Sequence, residues 1–164
     1  MSYKIVYGDI CETECDAIVN AANGIGFMGG ILGWFVKLSG VSENINYATK
    51  GKVEKEAWIK CIKHYLIGYM PGNTYITNSY NLKCKYIIHA VTMWLPGTFS
   101  SMRTIKKLIP KVIAEAKNMK LKSIAIPLLG TGVGHLEPEK VMGLYKSAFK
   151  NEDELDVYVY LLKK

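Results

Sequence analysis

The 164-residue sequence predicts an α/β fold in which a mostly parallel sheet is covered by helices on both faces. Three features predict it. Strand-like and helix-like segments alternate along the chain. Several strand segments are apolar throughout, the pattern of strands buried on both faces. Two glycine-rich segments, Gly24 to Gly30 and Gly130 to Gly134, follow such strands directly. Parallel sheets bind ligands outside the carboxyl ends of their strands.

Tyr3 to Tyr7 alternates and is rich in β-formers, and Ala17 to Val19 is a short apolar run, so both predict strands. Gly29 to Leu38 predicts a helix opening at the glycine-rich loop. Val53, Ala57, Trp58, Cys61, Ile62 and Tyr65 recur at three- and four-residue spacing, the pattern of an amphipathic helix. Gly68 and Pro71-Gly72 then break the chain. Asn73 to Asn78 reads as a strand, and Tyr86 to Thr92 as a fully buried one. Ile105, Leu108, Ile109, Val112, Ile113 and Ala116 mark another helix, with Lys106, Lys107, Lys111 and Lys117 on its outer face. Pro110 lies inside it and is expected to kink or break it. Ser123 to Leu129 is a buried strand. Pro138 suits the first position of a helix, which carries Val141, Leu144, Tyr145, Ala148 and Phe149 on one face. Val157 to Leu162 closes the chain as a strand.

The length fits one domain, residues 1–164, with a real core. Hydrophobic residues make up 49% and charged residues 21%, which excludes a disordered chain. No apolar run approaches the roughly 20 residues of a membrane span, so no membrane partner is expected. Met1-Ser2-Tyr3-Lys4 enters a strand at once and does not read as a signal peptide, which makes the cytoplasm the default location. Cys11, Cys15, Cys61 and Cys84 form no C-x-x-C pair and have no histidine at ligand spacing, so they read as buried, reduced thiols. Neither a metal site nor a cofactor motif is present. The net charge is +7, yet Arg103 is the only arginine. Bidentate phosphate and base recognition prefers arginine, so the lysines read first as a solvated surface and only second as a weak polyanion site.

The octet Asp16 to Asn23 carries a buried strand into two amides, Asn20 and Asn23. An amide offers donors and an acceptor without charge, which suits a neutral, hydroxyl-rich ligand. Gly29 and Gly30 let the backbone approach such a ligand. Gly130-Thr131-Gly132-Val133-Gly134, with His135 beside it, has glycines at alternate positions that can turn N–H groups toward one anion. It is not a Walker A loop, and its spacing is not the dinucleotide fingerprint. Asp9 is either a cap or an acceptor for an exocyclic amine. His89 reads as a core histidine, and Lys37 and His135 as surface residues.

Gly8-Asp9-Ile10, the octet, Gly29-Gly30, Thr77 to Val91 and Ala125 to Val133 together resemble a macro domain, in order and across nearly the whole chain. The resemblance implies a three-layer α/β/α sandwich with a mixed, mostly parallel central sheet that binds ADP-ribose. It implies that Asp9 holds the adenine amine and Ile10 lines that pocket. It implies that Asn23 contacts the distal ribose, that Gly29 and Gly30 approach that ribose and the phosphates, and that Gly130 to Gly134 cradle the pyrophosphate. Hydrolytic relatives often carry an acid and a histidine where this chain has Gly33 and Lys37. Another branch uses a lysine and an aspartate where it has Met93 and Gly134. No acidic residue lies between Gly24 and Lys37, which leaves Asn23 as the catalytic candidate, able to position water. Three readings stay open. One is a hydrolase of an ADP-ribose conjugate, either a mono-ADP-ribosyl glycohydrolase or an O-acyl-ADP-ribose deacylase. The second is a non-catalytic reader of ADP-ribosylated protein or nucleic acid. The third is a polyanion- or RNA-binding domain.

Overall fold

The structure, a computed structural model, describes residues 3–64 and 66–162. Met1, Ser2 and Tyr65, the last included in the helical spacing above, lie outside the described residues. Six strands form one sheet: β1 (Tyr3–Tyr7), β2 (Ala17–Asn23), β3 (Thr74–Asn78), β4 (Tyr86–Met93), β5 (Ser123–Pro127) and β6 (Asp156–Leu161). Their spatial order is β1-β6-β5-β2-β4-β3. All neighbours run parallel except β3, which pairs antiparallel to β4. The helices are α1 (Gly30–Phe35), α2 (Val41–Ala48), α3 (Lys52–Lys63), α4 (Met102–Asn118) and α5 (Pro138–Phe149).

The sheet is the middle of three layers. On one face Ala17, Val19, Ile88, Ile124 and Val157 pack with Ile105, Leu108 and Val112 of α4 and Val141, Tyr145 and Phe149 of α5. On the other face Ile18, Ile87 and Ala125 meet Ile45 of α2 and Val53 of α3, while Ala22 and Val91 meet Ala57 and Cys61. Strands enclosed in this way have no solvent face on which to place polar residues, hence their largely apolar runs, broken in β2 and β4 by buried polar residues such as Asn20 and His89. Among the described residues no helix is long and apolar enough to cross a membrane.

Three elements differ from the sequence reading. Pro110 does not break α4, which continues to Asn118. Proline removes one N–H and so strands the carbonyl of Lys106, but both residues are exposed, so water can take that carbonyl. α2 is absent from the sequence expectations because its apolar stripe, Val41, Ile45 and Ala48, spans only eight residues, too short for the period to stand out. The helix predicted from Gly29 to Leu38 stops at Phe35.

Asp16 sets the start of β2. Its Oδ2 accepts from the N–H groups of Lys122 (2.7 Å) and Ser123 (3.2 Å), and its Oδ1 from Lys85 Nζ (2.7 Å). These bonds, Lys85 foremost, hold its carboxyl below the usual range. At the far end the β2–β4 register shifts between Ala22 and Asn23, so that Asn23 faces Met93 rather than Thr92. Such an irregularity re-aims the strand end.

His89 lies fully buried in the middle of β4. Asn20 Oδ1 accepts from Ser42 Oγ, so the Asn20 Nδ2 donates to His89 Nδ1 at 3.2 Å, and His89 Nε2–H donates to Thr77 Oγ1 at 2.9 Å. The ring also stacks on Tyr75, centroids 4.4 Å apart. Burial, with a smaller effect of Lys60, pushes its pKa down to about 3. The unfolded chain takes up this proton near pH 6.5 and the folded chain only near 3, so stability is complete above 6.5 and is lost as pH falls toward 3. Urea unfolding across that window is expected to show a slope of up to roughly 1.4 kcal/mol per pH unit that His89→Gln removes. An unchanged slope in the variant would mean that other groups carry the acid sensitivity.

Candidate functional site

The carboxyl ends of all five parallel strands open on one cleft. Tyr7, Asn23, Met93, Pro127 and Leu161, the last or near-last residues of β1, β2, β4, β5 and β6, line a cavity of about 1010 Å³. Of the sequence-predicted residues, Asp9, Ile10, Asn23, Gly130, Thr131, Gly132, Val133 and Gly134 line it together. Asn20, Gly29, Gly30 and His135 are not among its lining residues. Asn20 points away from the cleft because β2 alternates, and its amide is taken by His89 and Ser42. His135 is exposed, with its ring 5.3 Å from that of Phe99. Lys37 sits at one edge of the cleft, its Nζ 2.8 Å from Asp9 Oδ2.

Asp9 does two jobs at the end of β1. It caps the 3-10 turn Ile10–Glu12 by accepting from the Cys11 N–H, and it pairs with Lys37. Burial raises its pKa, but Lys37 and the Cys11 N–H outweigh that and the net shift is down. The Cys11 thiol beneath it is pushed up to about 12 by burial and by the Asp9 charge, which leaves it unreactive. All four cysteines are buried and free.

The second glycine-rich segment turns tightly over the end of β5. Thr131 Oγ1 donates to the Leu128 carbonyl, and the Leu136 N–H donates to Gly130 O. Gly134 packs so closely on Gly130 that a Cβ at 134 would lie 2.5 Å from the Gly130 oxygen. Among the described residues no hydrogen bond takes the N–H groups of Gly132, Val133 or Gly134. These three donors can receive an anion.

The first glycine-rich segment is organised by a residue that sequence reading passed over. Glu54, buried in the first turn of α3, accepts four hydrogen bonds. Its Oε1 takes the N–H groups of Met28 (2.7 Å) and Gly30 (2.9 Å); its Oε2 takes Trp34 Nε1 (2.9 Å) and Asn46 Nδ2 (3.1 Å). Asn23 secures the same segment from the sheet side, with Nδ2 donating to Phe27 O (2.6 Å) and Oδ1 accepting from Phe27 N (3.0 Å). The sequence signal for Glu54 was a charge beside Val53 on the buried side of an amphipathic helix.

A second carboxylate also lines the cleft. Glu43, three residues into α2, is half-buried, and burial pushes its carboxyl up, with the charge of Glu54 adding to the shift. Glu43 lies beyond Lys37, outside the glycine-rich stretch from Gly24 in which no acid occurs. The spacing from Gly40 to Glu43, a helix start with Glu at its third position, was the available signal.

A family model for the Macro domain matches residues 19–144. The chain belongs to the macro domain family. This macro domain is 35% identical over 164 residues to a macro domain-containing protein of Listeria monocytogenes, covering 97% of this chain and 86% of that protein. It is 30% identical over 151 residues to an uncharacterized protein of Thermotoga maritima, covering 90% of this chain but only 23% of the longer protein. Among solved structures it superposes on the Oceanobacillus iheyensis macrodomain with ADP at a TM-score of 0.80, with 23% identity over 99% of this chain and 83% of that one. The Trypanosoma brucei macrodomain in complex with ADP-ribose gives a TM-score of 0.74, with 21% identity over 99% of this chain and 64% of that one. These likenesses support the three-layer fold and its mixed sheet.

Removing the Glu54 carboxylate strands its four donors, each worth about 1 kcal/mol when buried unpaired. Glu54→Ala is therefore expected to lose roughly 2–4 kcal/mol in urea unfolding and to speed amide hydrogen exchange at Met28 and Gly30. Protection at those two amides equal to that of the parent would show that the segment is held by something else.

Proposed function

We propose that this macro domain binds ADP-ribose in the cleft at the strand ends. The observation that carries the reading is the joining of three groups in one cavity: the Asp9 carboxylate at one end, Asn23 at another wall, and the free N–H groups of Gly132 to Gly134 between them. A carboxylate accepts from an exocyclic amine, N–H groups receive a pyrophosphate, and a rigid, uncharged wall suits a ribose. Asp9 would bind the adenine amine at the oxygen that Lys37 now holds, Ile10 would line the adenine pocket, and Gly130 and Thr131 would complete the phosphate loop. The cleft is of the size of ligand pockets, on the order of 300–1,000 Å³. Membership of the family, and relatives seen with ADP and with ADP-ribose, support the same ligand.

Calorimetry with ADP-ribose tests this. Absence of heat at about 1 mM ligand, weaker than about −4 kcal/mol, would sink the reading. Asp9→Ala is expected to weaken binding by about tenfold or more, the loss of one charge-assisted hydrogen bond.

A second reading, hydrolysis of an ADP-ribose conjugate, is favoured by Glu43. Water would bond to the anomeric carbon of the distal ribose as the bond to the acceptor breaks, the acceptor keeping the electron pair. Glu43 would take the proton from water, while Asn23 keeps the wall of the distal site in place. A base must be deprotonated to act, so the rate is expected to rise with pH through a pKa above the usual glutamate range and then level. Glu43→Gln is expected to lower release of ADP-ribose from a mono-ADP-ribosylated protein by about 10²–10⁴ with little change in ADP-ribose affinity. The same variant is expected to melt higher at neutral pH, since a carboxyl with a raised pKa costs stability once ionised. No release by the parent protein from this substrate or from O-acetyl-ADP-ribose leaves the reader function.

A further inference from the structure

An exposed apolar face surrounds the Asn23 end of the cleft, and neither the fold nor the proposed ligand accounts for it. From Gly24 to Val36 no side chain carries a charge, yet this segment is at the surface. Ile31 is 67% exposed, Leu32 64% and Phe35 76%. Helix α1 fully buries only Gly33; Trp34 turns inward to Glu54, while Ile31, Leu32 and Phe35 turn outward, an apolar surface where a surface helix ordinarily carries polar residues.

The face is continuous with the cleft through close contacts. Phe27 lines the cavity while 45% exposed, and its backbone is held by Asn23. Gly30, at the start of α1, approaches the Phe27 ring so that a Cβ there would lie 3.3 Å from it. On the other side of Asn23, Gly24 abuts the Trp94 ring, and Trp94 Nε1 donates to Ile67 O. Trp94 and Ile67 are themselves exposed. Charges appear at the border: Lys37 follows the segment, and Lys55 sits 4.6 Å from the centre of the Trp34 ring.

We propose that this face docks the polypeptide that carries the ADP-ribose group, through large apolar side chains next to the modified residue and acidic ones beside them. The proposal rests on the ADP-ribose reading of the cleft, with the distal ribose at Asn23. Three arguments select this occupant. Phe27 lines the cleft, is held by Asn23 and touches the start of α1, so an acceptor joined to a distal ribose at Asn23 meets this face on leaving the cleft. A nucleic-acid acceptor brings a phosphate with each nucleotide and needs cations spread along its path. Here the segment from Gly24 to Val36 holds no lysine or arginine, and Lys37 and Lys55 stand at its border. A bilayer resting on this face would cover the Asn23 end of the cleft, whereas a peptide extends the ligand out of it. Contiguous exposed apolar surface of this kind marks interaction sites, and aromatic anchors supply most of their affinity.

The test uses the full chain and its Leu32→Ser, Phe35→Ser double variant, changed at two exposed positions outside the cleft. The probes are free ADP-ribose, a mono-ADP-ribosylated peptide with Leu, Phe and Glu beside the modified residue, the same peptide with Ser replacing Leu and Phe, and an ADP-ribosylated oligonucleotide. The parent is expected to bind the apolar peptide more tightly than the serine peptide or the oligonucleotide. The variant is expected to lose roughly tenfold in affinity for the apolar peptide and none for free ADP-ribose. Equal affinity of parent and variant for the apolar peptide overturns the proposal. So does a preference of the parent for the oligonucleotide, self-association of the parent that the double variant abolishes, or binding to anionic phosphatidylserine vesicles through these residues. Failure of the parent to bind free ADP-ribose overturns the cleft reading and this proposal with it. Retained ADP-ribose binding without a peptide preference overturns this proposal alone.

Discussion

Glu54 is the fixed point from which the first wall of the cleft is built. A carboxylate has about four lone-pair sites, and here four donors from three separate parts of the chain fill them. Two are main-chain groups of the glycine-rich segment, one is the indole of α1, and one is the amide of α2. Burying a carboxylate is costly unless its hydrogen bonds are complete, so the arrangement tolerates little slack. Asn46 extends it by donating to the carbonyls of Met28 and Gly30 as well. The segment from Gly24 to Phe35 sends one large apolar side chain, Met28, into the core, and this polar knot supplies the rest of its anchorage. Phe27, Ile31 and Phe35 can then stay in water without the segment collapsing onto them.

The sheet supplies the other constraint. Five parallel strands end at one level, and each places its last residues at the cleft. Asp16 fixes the opposite end of β2 against β5 and the entry to β4, so the position of Asn23 is set by the full length of the strand between them. The register shift after Ala22 then turns Asn23 toward Phe27, while Asn20, three residues earlier, faces α2 and His89. Two identical side chains on one strand thus act in different layers of the molecule. Asn20 satisfies a buried histidine, and Asn23 shapes the cleft.

The alternation of strands and helices, the buried runs of β2, β4 and β5 and the glycine loop at 130–134 were legible because each leaves a local pattern. The residues that complete the site were not. Glu54 and Asn46 are recognisable only once α1, α2 and α3 are brought together, since their partners lie up to 26 residues away. Glu43 reaches the cleft because α2 forms, and the apolar period of α2, Val41, Ile45 and Ala48, is too short to announce it. Asn20 and Asn23 looked alike because the apolar run ends at Val19, whereas β2 continues to Asn23 and its alternation puts the two on opposite faces. Pro110 misled in the other direction: proline breaks helices when the stranded carbonyl is buried, and exposure at that point is a tertiary fact.

Glu43 and Glu54 are near enough for the charge of one to raise the pKa of the other, yet their surroundings separate them. Every lone pair of Glu54 is engaged, so it cannot touch a ligand without dismantling α1. Glu43 opens on the cleft, and among the described residues no lysine or arginine pairs with it. The two carboxylates are thus suited to different tasks: Glu54 holds structure, and Glu43, its pKa raised by burial, can exchange protons. The missing acid of the first loop therefore does not leave the cleft without a titratable group. The burden of holding geometry has moved to α3, and a free carboxylate is presented from α2 instead.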